Sequence, residues 1–140
     1  ISMSLVNYFI NGIRIWFNNR IWYGDGIMIT KDGRTDMRDH IILTYTKAKI
    51  GTGGDSTNPN ASDLDSPVGA EITGITVQSS GESSIDFKVT VNGSGYVGHT
   101  IKEIGIFNSS DNMLLRVNYD GIGPLTSSDE IEFVITVEVD

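Results

Sequence analysis

The sequence predicts a mainly β fold, an antiparallel β-sandwich-like domain with one N-terminal amphipathic helix, and three observations carry that prediction. Sixteen glycines beside only three prolines suit a chain of many turns. In 85–91 the residues Ile85, Phe87, Val89 and Val91 alternate with Asp86, Lys88 and Thr90, the two-residue period of a half-buried strand. In 131–139, Ile131, Phe133, Ile135, Val137 and Val139 alternate in the same way with Glu132, Thr136 and Glu138; Val134 is the one apolar break in the polar row.

The helix is expected over 4–21. Leu5, Phe9, Ile13, Trp16 or Phe17, and Ile21 recur at three- and four-residue spacing, Ser4 is placed to cap, and Gly24-Asp25-Gly26 to stop it. Residues 27–50 read as a small hairpin, turning at Asp32-Gly33, followed by a first main strand over 41–50, where Ile41, Leu43 and Tyr45 alternate with Ile42, Thr44 and Thr46 and the second face is partly buried. A long polar loop spans 51–70, with Leu64 and Val68 its sizeable apolar residues, expected to pin it to the body. The antiparallel β core fills 71–140: strands at 72–77, 85–91, 101–107 and 113–119, a turn at 108–112, a loop at 121–129, and the closing strand. Together these elements make one domain.

A chain of 140 residues is long enough to bury a single core, and without cysteine it does so without disulfides. Ten basic residues, scattered along a chain of net charge -8, offer no basic face for phosphates, so nucleic acid is not an expected partner. The apolar run 5–23 is broken by Asn7, Asn11, Arg14, Asn18 and Arg20, so no membrane span is expected. The sequence opens on Ile1, and Met3-Ser4 reads as the natural start.

Signatures of catalysis are missing: no Cys, no G-x-S-x-G elbow, no P-loop, and two isolated histidines, His40 and His99. Asp25, Asp32, Asp36 and Asp39, and again Asp55, Asp63 and Asp65, lack the spacing of a twelve-residue calcium loop. Gly51-Thr52-Gly53-Gly54 has neither the Lys nor the following helix of a phosphate cradle. The expectation is a non-enzymatic protein with no cofactor and no metal. Trp22, Tyr23 and Tyr96, beside glycines, form a candidate platform for a host glycan.

One combination of motifs is specific enough to suggest a family. An N-terminal helical segment, Leu5 to Arg20, leads to a strand ending in Lys49-Ile50-Gly51-Thr52-Gly53, followed by Thr57-Asn58-Pro59 and Ser62-Asp63-Leu64; downstream come Ile101, Glu103, Ile104, Gly105, Ile106 and Phe107, then Met113-Leu114-Leu115-Arg116-Val117, then the closing strand. In combination these resemble small virion structural proteins of tailed phages or archaeal tailed viruses, of the tail, neck or baseplate appendage type. The insertion at 27–39 departs from that pattern, and no heptad or collagen-like shaft is present. The resemblance implies a virion location and a homo-oligomer, a trimer or higher ring, that contacts other virion proteins.

The candidate interface residues are Phe9, Ile13, Trp16 and Phe17 on the expected helix, Leu64 and Val68 on the long loop, and Ile122 and Leu125 on the 121–129 loop. Within the motif, Gly105 is expected where a backbone or bulky ring approaches the strand. Glu103 is expected to cap or to pair with Lys102 or Arg116. Two other functions fit the sequence: a host-surface or glycan-binding adhesin module, and a subunit of a cellular pilus or surface filament.

Overall fold

The computed structural model describes residues 2–10, 13–21, 29–54, 58 and 60–139, the first two stretches by their backbone alone. In chain order the elements are β1 (Ser2–Ile10), β2 (Ile13–Ile21), α1 (Lys31–Thr44), β3 (Tyr45–Gly51), β4 (Pro67–Ile72), β5 (Thr76–Ser79), β6 (Ser84–Asn92), a single 3-10 turn at Gly93–Gly95, β7 (Ile101–Asn108), β8 (Met113–Ile122) and β9 (Glu130–Val139). The protein is mainly β, with two antiparallel sheets and one helix preceding seven of the strands. The strand orders are β2-β1-β9-β6-β5 and β4-β3-β7-β8.

The chain falls into two compact units. The first comprises Ile1–Leu43, Gln78–Asp86 and Ile135–Asp140, the second Thr44–Val77 and Phe87–Val134. In the first unit β1 and β2 pair from Ser2↔Ile21 to Ile10↔Ile13 with no register shift. This hairpin replaces the helix expected over 4–21. Val6, Tyr8 and Ile10 alternate, as do Ile13, Ile15 and Phe17, and Asn11-Gly12 between them is a dipeptide strongly favoured in two-residue hairpin connections. That period-two pattern outweighs the coarser three- and four-residue spacing that suggested a helix. The expected cap at Ser4 therefore lies within a strand; the expected stop at 24–26 lies outside the described residues.

The helix forms instead at Lys31–Thr44, where a hairpin and the start of a strand were expected. Thr30 decides it: its Oγ1 accepts the Gly33 amide at 3.1 Å and its carbonyl accepts the Arg34 amide at 2.9 Å, which closes the first turn. Asp32 in that turn suits the positive end of the helix dipole. Captured this way, Asp32-Gly33 is spent on a helix start rather than a β-turn. The helix is mostly polar and buries only Ile41 among its residues. Polar contacts among the described residues tie it to the 80–82 turn: Thr35 Oγ1 donates to the Glu82 carbonyl at 3.1 Å and Arg38 Nη1 to the Gly81 carbonyl at 2.8 Å.

The strands of the β core follow the sequence closely, apart from the 67–79 stretch, where β4 and β5 replace a single expected strand. Ile85, Phe87, Val89 and Val91 of β6 are fully buried, and Ile135, Val137 and Val139 of β9 nearly so. In the second unit the buried side chains come from both sheets, with Phe87, Val89 and Val91 from one and Ala48, Ile50, Ile104, Ile106 and Leu115 from the other.

Candidate functional site

The feature that stands out in the second unit is β7, which is buried on both faces. Its register with β3 sets Ile50 opposite Ile104 and Ala48 opposite Ile106 on the core side. On the reverse side Gly51 faces Glu103, Lys49 faces Gly105 and Lys47 faces Phe107. Strand β8 adds Asn118 opposite Glu103 and Arg116 opposite Gly105 on that same side. A sheet face lined by a carboxylate, a glycine and a phenylalanine would ordinarily meet water. Here Glu103 and Phe107 are 0 % exposed.

The cover is the polar loop that follows β3. Glu103 Oε1 accepts the amides of Ser66 at 2.8 Å and Gly53 at 3.2 Å, and Oε2 accepts the amide of Asp65 at 3.1 Å. Asn118 Nδ2 stands 3.5 Å from the same Oε2 and 3.4 Å from the Gly53 carbonyl. A buried carboxylate is costly unless its lone pairs are filled, and backbone amides fill them with charge-assisted hydrogen bonds. One side chain thus binds both ends of the loop.

The glycines are what allow the approach. A Cβ on Gly51 or Gly53 would collide with the Glu103 carboxylate. On β7 itself a Cβ on Gly105 would lie 2.7 Å from Phe107 Cε2 and 2.9 Å from Leu64 Cδ2, so Leu64 seats over the gap in the strand left by the missing side chain. The expectation of a bulky group against Gly105 is met by that ring and by Leu64. Glu103 pairs with neither Lys102 nor Arg116; the guanidinium instead bonds Asp65 Oδ1 at 3.0 Å and the Asp63 carbonyl at 3.3 Å, tying the loop a second time.

Beside the clamp runs an ionic cluster. Lys47 Nζ meets Asp111 Oδ1 at 2.6 Å and Glu71 Oε2 at 3.0 Å. Lys49 Nζ lies 3.6 Å from Asp63 and 3.7 Å from Asp111, and 4.5 Å from the centre of the Phe107 ring. Hydrogen bonding to Asp111, then to Glu71, raises the Lys47 ammonium above its ordinary value. The same bond to Lys47 holds the Asp111 carboxyl below the usual range. Asp111 reaches that position from the β7–β8 turn at φ 64°, a conformation Asp tolerates better than most residues.

The structure redistributes the residues singled out from sequence. Phe9, Ile13, Trp16 and Phe17 lie on β1 and β2 rather than on a helix. The register puts Phe9 and Trp16 in one alternate set of positions and Ile13 and Phe17 in the other, so one stripe does not hold all four. Leu64 and Leu125 are buried within the chain's own second unit and are not available as surface contacts; Ile122 is 41 % exposed. Val68 is half-buried and lines a pocket of 230 Å³ with Lys49, Ile50, Pro67, Gly69, Ala70 and Glu71.

Trp22 and Tyr23 lie outside the described residues. Tyr96 is buried, its ring against Gly69 and its hydroxyl donating to the Ala70 carbonyl at 3.0 Å, so it presents no face to a sugar. Burial pushes that phenol's pKa up. Among the described residues no group of three or more His, Cys, Asp or Glu side chains could hold a metal ion. No helix among them is long and apolar enough to cross a membrane.

The site is therefore a structural clamp whose central carboxylate is occupied by backbone amides. Sequence reasoning identified its parts, in Gly51, Gly53, Leu64, Glu103 and Gly105, but not that they meet. No protein-family model matches the chain, and no curated protein matches it.

Proposed function

We propose that this chain is a non-enzymatic structural subunit of a tailed-virus particle that assembles as a homo-oligomer in a tail, collar, baseplate or capsid-attached appendage. The observation that carries the proposal is the clamp. Gly53 and Glu103 from the motif pieces, 50 residues apart, meet at one carboxylate that also takes the adjoining Asp65 and Ser66 amides, and Leu64 seats on Gly105. Backbone already held at Gly53, Asp65 and Ser66 loses less entropy on docking, which suits a subunit making repeated identical contacts. The Glu103 carboxylate is used internally, on three backbone amides, in keeping with a scaffold rather than a reaction centre.

Native mass spectrometry and light scattering on the purified chain test this directly. A closed oligomer of defined copy number is the expected result. A chain that stays monomeric at high concentration overturns the proposal, and open-ended filaments from this single component would assign it to a surface filament instead.

A further inference from the structure

Strand β1 lies between β2 and β9, and its register sets Arg14, Phe9 and Glu138 in one line across the three strands, Arg14 opposite Phe9 and Phe9 opposite Glu138. Cross-strand partners share a face of the sheet. Glu138 is exposed between the buried Val137 and Val139, so this line belongs to the outward face. Tyr8 and Ile10, opposite Val139 and Val137, continue the inward one. By strand alternation the outward positions also include Met3 and Leu5 on β1 and Trp16 on β2. On the far side of β1 the same face holds Thr136 and Asp86, joined by a hydrogen bond of 2.8 Å from Thr136 Oγ1 to Asp86 Oδ1. All of these residues lie in the first unit. One sheet face therefore has a basic strand on one side of β1, carboxylates on the other and large apolar residues along β1 itself, where an outward face is ordinarily polar.

We infer that this outward face packs on the same face of a second copy about a two-fold axis running along β1; the inference rests on the homo-oligomer proposed above. The pattern of the face selects its occupant. Strands β2 and β9 flank β1 at equal spacing, about 4.8 Å on either side, so the two-fold lays β1 over β1 and β2 over β9 of the second copy. Arg14 and Glu138 are level with Phe9 in the register, so the Arg14 position of each copy comes over the Glu138 position of the other, twice per contact. Phe9, Leu5 and Met3, which fall on the axis, come over themselves. A contact of this kind needs one patch that complements itself, and unlike charges on opposite sides of an apolar strand meet that need, with the charges fixing the register. Copies of net charge -8 repel one another at long range, but residues 1–24 hold no Asp or Glu, and at physiological salt repulsion between exposed charges fades beyond about 8 Å. Two sheets packed face to face stand about 10 Å apart, close enough for the apolar row to be covered from both sides.

Sedimentation equilibrium on the wild type, on Arg14→Glu, on Glu138→Lys and on an equimolar mixture of the two variants tests the inference. Each variant alone places like charges over one another at both ends of the contact, and should associate about tenfold or more weakly than wild type with unchanged circular dichroism. In the mixture every reversed position meets an opposite charge again, so association should return to within about threefold of wild type. If a reversal fails to fold, Phe9→Cys takes its place: in this cysteine-free chain it should cross-link to a second copy of itself with a short bismaleimide, and Thr136→Cys, off the axis, should not. An oligomer unchanged by the reversals overturns this inference and leaves the assembly proposal standing. So do reversals that weaken association without recovery on mixing, a Phe9→Cys chain that does not cross-link, and a closed oligomer of odd copy number, which cannot satisfy a two-fold contact in every copy. A wild type that stays monomeric at high concentration overturns both.

Discussion

At the scale of single residues, Glu103 shows how a buried charge becomes a fold determinant. Its carboxylate accepts three backbone amides from the far side of a loop, 37 to 50 residues away in sequence. Glu103→Gln keeps the shape but turns an NH2 group toward amides that can only donate. The expected cost is about 2 kcal/mol, with Glu103→Ala costing more because all three amides lose their partner. Urea unfolding measures the totals. Hydrogen exchange at Gly53, Asp65 and Ser66 should accelerate before the rest of the chain, and uniform acceleration would show that the carboxylate does not act as a local clamp. Gly105→Ala makes a separate test, because its Cβ would press on the Phe107 ring and on Leu64, both buried. It should destabilise by about 1–3 kcal/mol, whereas Gly54→Ala, with nothing within 4 Å, should change little. The types and positions of these residues were legible in the sequence. Their meeting was not, since nothing local in Ile-Lys-Glu-Ile-Gly reveals which amides will fill a carboxylate's lone pairs.

At the scale of elements, the core strands were legible and the N-terminal third was not, for a physical reason visible in each case. In β6 strict alternation over seven residues, and in β9 an alternation broken only at Val134, leave no competing period. In 2–21 two periods coexist: Leu5, Phe9 and Ile13 fit a helix, while Val6, Tyr8, Ile10 and then Ile15 and Phe17 fit the paired strands β1 and β2. In 31–44 the reverse happens, because Asp32-Gly33 suits a turn until Thr30 caps the amide of Gly33. The polar loop after β3 reads as open because what it offers to Glu103 is its own backbone amides, which carry no sequence signal. Strands β3 and β4 and the β7–β8 turn are joined by the Lys47 cluster, and its pH dependence has a definite sign. The Asp111 carboxyl is lowered from 3.8, so its stabilisation is present above that value and is lost as pH falls through the lower folded one. The Lys47 ammonium is raised from 10.5, so its contribution is full below that value and is lost as pH rises through the higher folded one. Asp111→Asn keeps the side-chain type suited to positive φ and removes the charge. Its urea midpoint, measured from pH 2 to pH 7, should depend less on pH below about 4 than that of the wild type. Parallel curves would remove Asp111 from the acid response.

At the scale of the whole molecule, the question is how a protein so rich in β-structure avoids joining sheets without limit. Both edges of the four-stranded sheet are irregular. On β4, Gly69, Ala70 and Glu71 stand opposite the single Lys49, and the strand opens on Pro67. On β8, Tyr119, Asp120 and Gly121 stand opposite Lys102, and Leu114 is an extra residue at the other end. Extra residues twist a strand and break the even row of donors and acceptors that another chain would need; proline removes a donor outright. Glu71 adds a carboxylate at the β4 edge. These devices work against strand-by-strand growth of this sheet into a filament. The double variant Pro67→Thr, Glu71→Thr restores an edge donor and removes the charge, and it should form thioflavin-binding aggregates faster than wild type. Loss of the Lys47–Glu71 ion pair also destabilises the fold, so Asp111→Asn, which weakens the same cluster without touching the edge, is the control. Compared in urea at equal fractions folded, the edge variant should still aggregate several times faster than the control if the edge governs growth. Equal rates would mean that stability, not edge geometry, keeps the chains apart.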